Sequence, residues 1–242
     1  MDNKDIQIVE NVLNDYQYNT LLDIIKSPKL PWQIHPKTCS RDSDAALGQA
    51  VHIIFKVQKP AQNRSSYYAA KSYPYTIPIL RKKEETLGQF IKPTRVKCNC
   101  TFPSLTHYES AAHTDINTAT LGNPNLFSAI YYPEDSTGET VFYEEFSKNS
   151  AFIDDQNLTE SFRYTPKANT MVVFHSQRIH RGCYPTENKL RRVINMVSLI
   201  SDTQTVYENL KPNILNANQR QRNPQNRSVL RDQANMGNKN QD

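Results

Sequence analysis

The segment Tyr108-Glu-Ser-Ala-Ala-His113-Thr114-Asp115 opens the stretch that decides how this chain folds, and the stretch continues to Val197. Residues i and i+2 of a strand point to the same face, so His113 and Asp115 would share one side. His180 would have to arrive from a strand that is distant in sequence. Two imidazoles and one carboxylate are the 2-His-1-carboxylate facial triad, which leaves positions open on an Fe(II) ion. The pattern therefore predicts a metal site built from His113, Asp115 and His180.

Composition is typical of one large domain with an additional polar segment. The chain has 242 residues, and its hydrophobic fraction of 37% and mean hydropathy of −0.70 are low for a globular protein. The net charge of +5 favours acidic partners only weakly, so nucleic acid stays an option without specific support. Four cysteines at irregular spacing do not form a disulfide framework in a chain of this length. We also expect Cys98 and Cys100 to be small buried side chains on one face of a strand.

The N-terminus and the hydropathy pattern predict a soluble protein. The first residues lack the basic start and apolar core of a secretory signal, and no stretch approaches the roughly 18 apolar residues of a membrane span. We therefore expect no membrane association and a cytoplasmic or other soluble intracellular location. A reducing compartment of this kind suits a ferrous site.

Three regions are distinguished along the chain. Residues 1–93 read as a support region of strands and helices, with an amphipathic helix from about Asn14 to Lys26. Residues 94–212 change to short alternating or apolar runs separated by turns, which predicts a β core. We expect this core to pack with the first region as one domain. Residues 213–242 are rich in Asn, Gln and Arg, too polar to form a core, and read as a flexible tail or an arm that orders on a partner.

Two segments of the support region are interpreted separately. The tyrosine-bearing stretch Tyr67–Tyr75 lies within a long polar connection, whose length indicates a functional loop or a short element that the pattern does not reveal. Its tyrosines read either as surface residues or as part of a substrate-facing lid. The charged run Arg81–Glu85 lies among apolar residues at helical spacing and reads as a solvated helix face.

The predicted core is mainly β. Many short strands at such spacing indicate a sandwich, barrel or jelly roll. The expected strands are residues 95–100, Leu126–Tyr132, Thr140–Tyr143, Thr170–Phe174 and Val193–Ile200.

The order of motifs from residue 96 to 200 resembles the Fe(II)/2-oxoglutarate-dependent oxygenases, and within them the prolyl-4-hydroxylase-like branch. After His113 and Asp115 come a strand with two tyrosines, the segment Gly138-Glu-Thr-Val-Phe, a strand that ends in Val-Val-Phe-His-Ser, and His180 with an arginine eleven residues later. The resemblance implies a double-stranded β-helix core of the jelly-roll or cupin-like type. It covers the N-terminal third only loosely and the tail not at all.

The resemblance also assigns roles to the cosubstrate pocket. Arg191 resembles the residue that binds the distal carboxylate of 2-oxoglutarate, through two parallel charge-assisted hydrogen bonds. Arg192 would point the opposite way on a strand, and spacing from the preceding proline favours Arg191. Tyr132 resembles the tyrosine that supports this carboxylate, and Tyr108 resembles another pocket tyrosine of the branch. The Gly138-Glu-Thr segment lacks the first glycine of the family's Gly-Gly-x-Thr pattern.

The activity that the resemblance implies is dioxygenase chemistry. Fe(II), 2-oxoglutarate and O2 would be required, with ascorbate as a further candidate, and hydroxylation of a substrate C–H bond would release succinate and CO2. The prime substrate would be a protein or peptide side chain, plausibly proline, although sister enzymes act on nucleobases and small metabolites. Three other interpretations stay open: ordinary strand residues without metal, a hydrolytic zinc site, and a non-catalytic metal-binding β-barrel module. The oligomeric state does not follow from the sequence.

Overall fold

The computed structural model describes residues 6–37, 48–56, 67–115, 125–149, 153–187 and 189–200, with the backbone alone for 67–72. In chain order the elements are β1 (Ile6–Val9), α1 (Asp15–Lys26), β2 (Gln33–His35), β3 (Gln49–Lys56), α2 (Tyr67–Leu87), β4 (Ile91–Thr101), β5 (Leu126–Tyr132), β6 (Thr140–Phe146), a 3-10 turn (Asp155–Asn157), β7 (Glu160–Tyr164), β8 (Thr170–His175), β9 (Arg178–Gly182) and β10 (Arg191–Ile200).

Two antiparallel sheets form the framework. The major sheet has the strand order β1-β8-β5-β10-β4-β3-β2, and the minor sheet has the order β7-β6-β9. The neighbours β8, β5 and β10 are joined by non-consecutive pairings, as in a jelly roll. The predicted class, a mainly β protein with a double-stranded β-helix core and helical support, is confirmed.

Alternation along the strands creates two hydrophobic layers. On one side of the major sheet, Ile194 and Met196 of β10 join a core that includes Leu21 of α1 and Ile79 of α2. On the other side, Val193 of β10 joins a second core that reaches residues of the minor sheet. Because successive residues of a strand point to opposite faces, β10 separates a helix-covered face from a face between the sheets.

The first helix forms where the sequence predicts it. Asn14 is its N-cap: the Asn14 side chain accepts from the backbone N–H of Gln17, and the Gln17 side chain accepts from the backbone N–H of Asn14. This reciprocal capping box satisfies two donors that the first helical turn leaves unpaired. Leu21 and Ile25 are buried against the sheet, so α1 is the amphipathic support that the spacing predicts.

The second helix contradicts the interpretation of Tyr67–Tyr75 as a loop. This stretch is the first part of α2, which continues to Leu87 and contains Pro74 and Pro78. Proline usually ends a helix, which is why the pattern favoured a connection. The ring of Tyr73 stacks on Phe55 of β3 at a centroid distance of 5.2 Å, so it packs on the support layer.

The charged run on α2 was only partly predicted. Lys82 is exposed and pairs with Glu85, as a solvated face requires. Lys83, however, is fully buried, so the prediction is wrong for this residue. Its ammonium donates to the backbone oxygen of Phe127 at 2.7 Å and to the hydroxyl of Ser198 at 3.2 Å. The sequence pattern could not reveal the burial of Lys83, because its hydrogen-bond acceptors come from two strands that are distant in sequence.

Several other predictions can be compared with the described residues. Cys98, Cys100 and Cys183 are free and buried, in agreement with the absence of a disulfide framework among them. The predicted boundary at residue 94 falls inside β4, and the predicted tail, residues 213–242, lies outside the described residues. Neither α1 nor α2 combines the length and apolarity that a membrane-spanning helix needs.

Candidate active site

The structure brings His113, Asp115 and His180 together between the two sheets. His113 and His180 form an antiparallel bridge through two backbone hydrogen bonds of 2.9 and 3.0 Å. Their rings lie 4.7 Å apart, centroid to centroid, and Nε2 of His180 lies 3.8 Å from Oδ2 of Asp115. His113 was expected on a regular strand, but it lies in an isolated bridge, so its pairing with His180 fixes its position.

The two imidazoles are held in one tautomer. Nδ1 of His113 lies 3.1 Å from the backbone oxygen of Ala111, and Nδ1 of His180 lies 3.1 Å from that of Arg178. A carbonyl oxygen can only accept, so each Nδ1 carries a proton, and in the neutral ring this leaves the lone pair on Nε2. Burial and the neighbouring His180 lower the pKa of His113 to about 4, which keeps this ring neutral at physiological pH. Neutral imidazoles with oriented Nε2 atoms are the form that ligates metals.

Asp115 uses its two oxygens differently. Oδ1 accepts from Arg95 at 3.1 Å and from the side-chain amide of Asn195 at 2.8 Å. Oδ2 is buried and has no hydrogen-bond partner within the described residues. Burial by itself would raise the pKa of Asp115, but His180 and Arg95 lower it well below its usual range. The result is an ionised carboxylate with one oxygen anchored and one oxygen available.

These donors fit a ferrous ion. An unpaired buried carboxylate oxygen costs free energy unless a cation or donor reaches it. Here Oδ2 and the two Nε2 lone pairs belong to the residues of the predicted facial triad, and that donor set suits Fe(II). The rings of Phe142 and Phe174 pack against His180, with centroids 6.0 and 4.9 Å away. They restrict the orientation of the imidazole.

A buried arginine lies in the same pocket. Arg191 donates from Nη2 to the hydroxyl of Thr140 at 2.8 Å and from Nε to the backbone oxygen of Gly138. The hydroxyl of Tyr132 donates to the same Thr140 oxygen at 2.8 Å, and the Arg191 guanidinium lies 5.9 Å from the Tyr132 ring. Burial lowers the pKa of Arg191, and no carboxylate pairs with it within the described residues. A buried cation that also faces a pocket favours an anionic ligand there.

Gly138 makes the approach of Arg191 feasible. A Cβ at this position would lie 2.5 Å from Cδ of Arg191 and 2.8 Å from the backbone oxygen of Cys183. Only a residue without a side chain leaves this space, so Gly138 and Thr140 together form the wall that orients the arginine. The missing first glycine of the family pattern, at Thr137, does not disturb this contact.

The two arginines of the pair point to opposite faces, as the strand period predicts. Arg192 donates from Nη1 to Glu134 at 2.9 Å on the face away from the pocket. Of the two arginines, Arg191 is the one that lines the pocket. Tyr108 does not line the pocket. Its ring packs edge-on against Tyr184 at 5.1 Å, and its role in the site stays a prediction.

Other pocket residues were not predicted. Lys97 and Asn99 of β4 line the pocket, and the Oδ1 atom of Asn99 is buried without a hydrogen-bond partner in the described part of the chain. Burial lowers the pKa of Lys97 to about 8; Arg95 lowers it as well, whereas Asp115 raises it. Asn195 and Arg95, which hold Asp115, were not assigned a role either. The sequence feature that could have indicated these residues is the alternation of β4. Its polar face is interpreted as solvent-exposed unless the position of the second sheet is known.

A second group of ligand-type side chains extends from the exposed His107 to the buried Cys183. His107, Glu109 and Cys183 have ligand atoms within 4.8 Å of one another. Glu109 already accepts from Arg163 at 3.1 Å and from Arg181 at 3.3 Å, and burial raises the pKa of the Cys183 thiol to about 12. A carboxylate that is already paired with two arginines and a protonated thiol are poor metal ligands. We therefore interpret this group as part of an ion-pair network.

Comparison with solved structures supports the same fold. The non-heme α-ketoglutarate-dependent epimerase SnoN from nogalamycin biosynthesis matches with a TM-score of 0.58 and 12% identity, over 81% of this chain and 78% of that chain. A 2OG-Fe(II) oxygenase family oxidoreductase from Burkholderia pseudomallei matches with a TM-score of 0.58 and 13% identity, over 81% and 86%. A prolyl hydroxylase from Trichoplax adhaerens, in complex with a peptide of hypoxia inducible factor, matches with a TM-score of 0.50 and 13% identity, over 82% and 85%.

Sequence comparison adds no relative. No protein-family model matches the chain, and no curated protein matches it significantly. At 12–13% identity the structural likeness establishes the fold, the double-stranded β-helix of the 2OG-Fe(II) oxygenases.

Proposed function

We propose that this protein is an Fe(II)- and 2-oxoglutarate-dependent dioxygenase that hydroxylates a C–H bond of its substrate. The observation that carries the proposal is the combination in one pocket of a free Asp115 oxygen, two oriented imidazole nitrogens and the unpaired cation of Arg191. A structural role for the histidines leaves the buried Asp115 oxygen unexplained. A hydrolytic zinc site leaves Arg191 without a function.

The residues divide into a metal set and a cosubstrate set. His113, Asp115 and His180 hold the metal, and Arg95 and Asn195 keep Asp115 in place through its other oxygen. Arg191 binds the distal carboxylate of 2-oxoglutarate, a planar fork meeting a planar anion. When bound, Fe(II) supplies the activation of O2 that the protein side chains cannot provide.

Thr140 and Tyr132 act behind the arginine. The Thr140 hydroxyl accepts from both Arg191 and Tyr132, and its two hydrogen bonds fix the guanidinium before the cosubstrate arrives. This preorganisation reduces the entropy lost on binding. The overall reaction consumes one 2-oxoglutarate, one O2 and one C–H bond. It yields succinate, CO2 and one hydroxyl group, so one oxygen atom enters each of succinate and product.

The prime substrate that we favour is a peptide or protein side chain, with proline as the first candidate. The Trichoplax prolyl hydroxylase supports this choice, because its structure contains a bound peptide. A small metabolite is the second candidate, since SnoN was solved with Fe3+, α-ketoglutarate and nogalamycin RO, with a TM-score of 0.57 to this chain. A nucleobase is the third candidate.

The test is cosubstrate turnover measured with the metal content. Purified protein should form succinate from 2-oxoglutarate only when Fe(II) and O2 are present. His113→Ala should abolish this turnover and reduce the bound metal, because it removes one of three protein ligands. The matched control is His107→Ala, which changes an exposed histidine outside the pocket and should leave both quantities unchanged.

Two results would contradict the proposal. Succinate formation that persists in His113→Ala would separate turnover from the predicted iron site. A wild-type protein that binds Fe(II) but never consumes 2-oxoglutarate would instead favour the non-catalytic metal-binding module.

A further inference from the structure

Lys97 is a pocket cation that neither the metal set nor the cosubstrate set uses. It lies on the pocket face of β4, and within the described residues its ammonium has neither a hydrogen bond nor an ion pair. Lys92 of the same strand is exposed to solvent, so the burial of Lys97 results from its position between the sheets. A partly buried ammonium without a partner is costly and favours an anion.

The strand register places Lys97 away from the cosubstrate arginine. Arg191 of β10 pairs with Thr101 of β4, whereas Lys97 pairs with Asn195, the residue that holds Asp115. Four residues of strand separate the two levels, a distance of about 13 Å at about 3.3 Å per residue. Lys97 therefore lies level with the Asp115 anchor, at the end of the pocket remote from Arg191. A five-carbon diacid that joins the metal to Arg191 extends in the other direction.

The charge balance of the loaded pocket also leaves Lys97 unpaired. The two positive charges of Fe(II) are balanced by Asp115 and by the chelating carboxylate of 2-oxoglutarate. Arg191 is balanced by the distal carboxylate. Arg95 already shares the Asp115 oxygen and is partly exposed. Of the described residues that line the pocket, Asp115 alone is acidic, so no protein carboxylate is left for Lys97.

We propose that Lys97 is a specificity-determining residue that binds a carboxylate of the prime substrate. This inference rests on the proposed oxygenase function. It narrows the substrate class to acids, either peptides with an Asp or Glu side chain near the reacting carbon or small carboxylic acids. The carboxylate would hold the substrate at the Asp115 side of the pocket.

The experiment uses matched acid and amide pairs on the full chain. The protein is loaded anaerobically with Fe(II) and 2-oxoglutarate, and the Kd of each probe is measured by thermal shift and calorimetry. The probes are short peptides that carry Asp or Glu against the same peptides with Asn or Gln, and small carboxylic acids against their amides. In the wild type at least one acid should bind ten times or more tightly than its amide. In Lys97→Met this preference should disappear, and Lys97→Arg should retain most of it.

The controls separate this inference from the proposed function. Lys92→Met removes an exposed lysine of the same strand and should not change the preference. The KM for 2-oxoglutarate in uncoupled succinate formation is compared between Lys97→Met and Arg191→Ala, and it should rise far less in Lys97→Met. A large rise of that KM would assign Lys97 to the cosubstrate and overturn the inference, while the proposed function would stand. A wild type that binds no acid, or binds acids and amides equally, would overturn it as well.

Discussion

Lys83 and Arg191 are two buried cations on opposite faces of the same sheet, and they differ in how their charge is satisfied. The Lys83 ammonium is enclosed under the helix-covered face and donates to Phe127, Ser198 and Met196, the last at 3.5 Å. Arg191 donates to Gly138 and Thr140 and also faces the pocket. Neither has a carboxylate partner within the described residues. The protein itself supplies the hydrogen-bond acceptors of Lys83, whereas Arg191 needs a ligand in the pocket.

This difference indicates which buried charge serves structure and which serves binding. A buried donor that finds all its acceptors in the protein contributes to a unique packing. A buried donor that leaves part of its hydrogen-bonding capacity toward a cavity is prepared for an anion. The comparison predicts that substitution of Lys83 affects stability, whereas substitution of Arg191 affects ligand binding.

The largest effect is expected for Arg191→Ala. Loss of one partner of a buried, hydrogen-bonded charge pair costs about 2–5 kcal/mol, which corresponds to roughly 30-fold or more in KM for 2-oxoglutarate. Succinate formation at varied 2-oxoglutarate measures this change, and thermal stabilisation by 2-oxoglutarate should disappear with it. Arg192→Ala is the control, since Arg192 pairs with Glu134 on the other face. The reverse ranking of the two variants would move the role to Arg192.

The next effect is expected for Lys83→Met. The apolar side chain would leave the Phe127 oxygen and the Ser198 hydroxyl without this donor, at a cost of about 2 kcal/mol in the free energy of unfolding. Urea denaturation measures the change. Lys82→Met is the neighbouring control, and it should change stability by less than about 0.5 kcal/mol because Lys82 is exposed. If Lys83→Met is as stable as the wild type, Lys83 does not complete the packing.

A smaller effect is expected for Gly138→Ala. The new methyl group would meet Cδ of Arg191 and the backbone oxygen of Cys183, so the guanidinium must shift. We expect KM for 2-oxoglutarate to rise about 10-fold, the equivalent of about 1.4 kcal/mol. Gly88→Ala is the matched control: Gly88 has a φ of 63° with open space around it, so its substitution adds backbone strain without touching the pocket. An unchanged KM in Gly138→Ala would contradict the proposed positioning of Arg191.

A further effect, comparable to that of Lys83→Met, is a pH dependence of stability that belongs to Lys83. Burial lowers its pKa from 10.5 to about 7 in the folded state. Between these values the unfolded chain binds more protons than the folded one, so the contribution of Lys83 to stability rises with pH from about 7 to about 10. Denaturation of the wild type and of Lys83→Met at pH 7 and pH 9 isolates this term. A difference between the two proteins that is independent of pH would show that Lys83 stays charged in the fold.

The sequence predicted most elements of the core and all three proposed metal ligands. These features depend on residues that are close in sequence. Strand alternation separates Arg191 from Arg192, and turn residues mark the ends of Leu126–Tyr132. The capping residues indicate where α1 begins. What it missed depended on distant partners. Tyr67–Tyr75 is helical despite two prolines in α2, and Lys83 is buried because two distant strands supply its acceptors.

The polar face of β4 is the clearest example of a feature that the sequence alone does not predict. Lys97 and Asn99 alternate with buried cysteines, and the same alternation describes a strand with one face in water. The residue types by themselves predicted a mainly β chain, a candidate set of metal ligands and an arginine suited to an anion. Only the tertiary structure decided that the minor sheet covers this polar face, that Asp115 keeps one oxygen free, and that Lys83 is enclosed. The physical reason is that burial and hydrogen-bond partners are set by residues far apart in the chain, whereas periodicity reports only on neighbours.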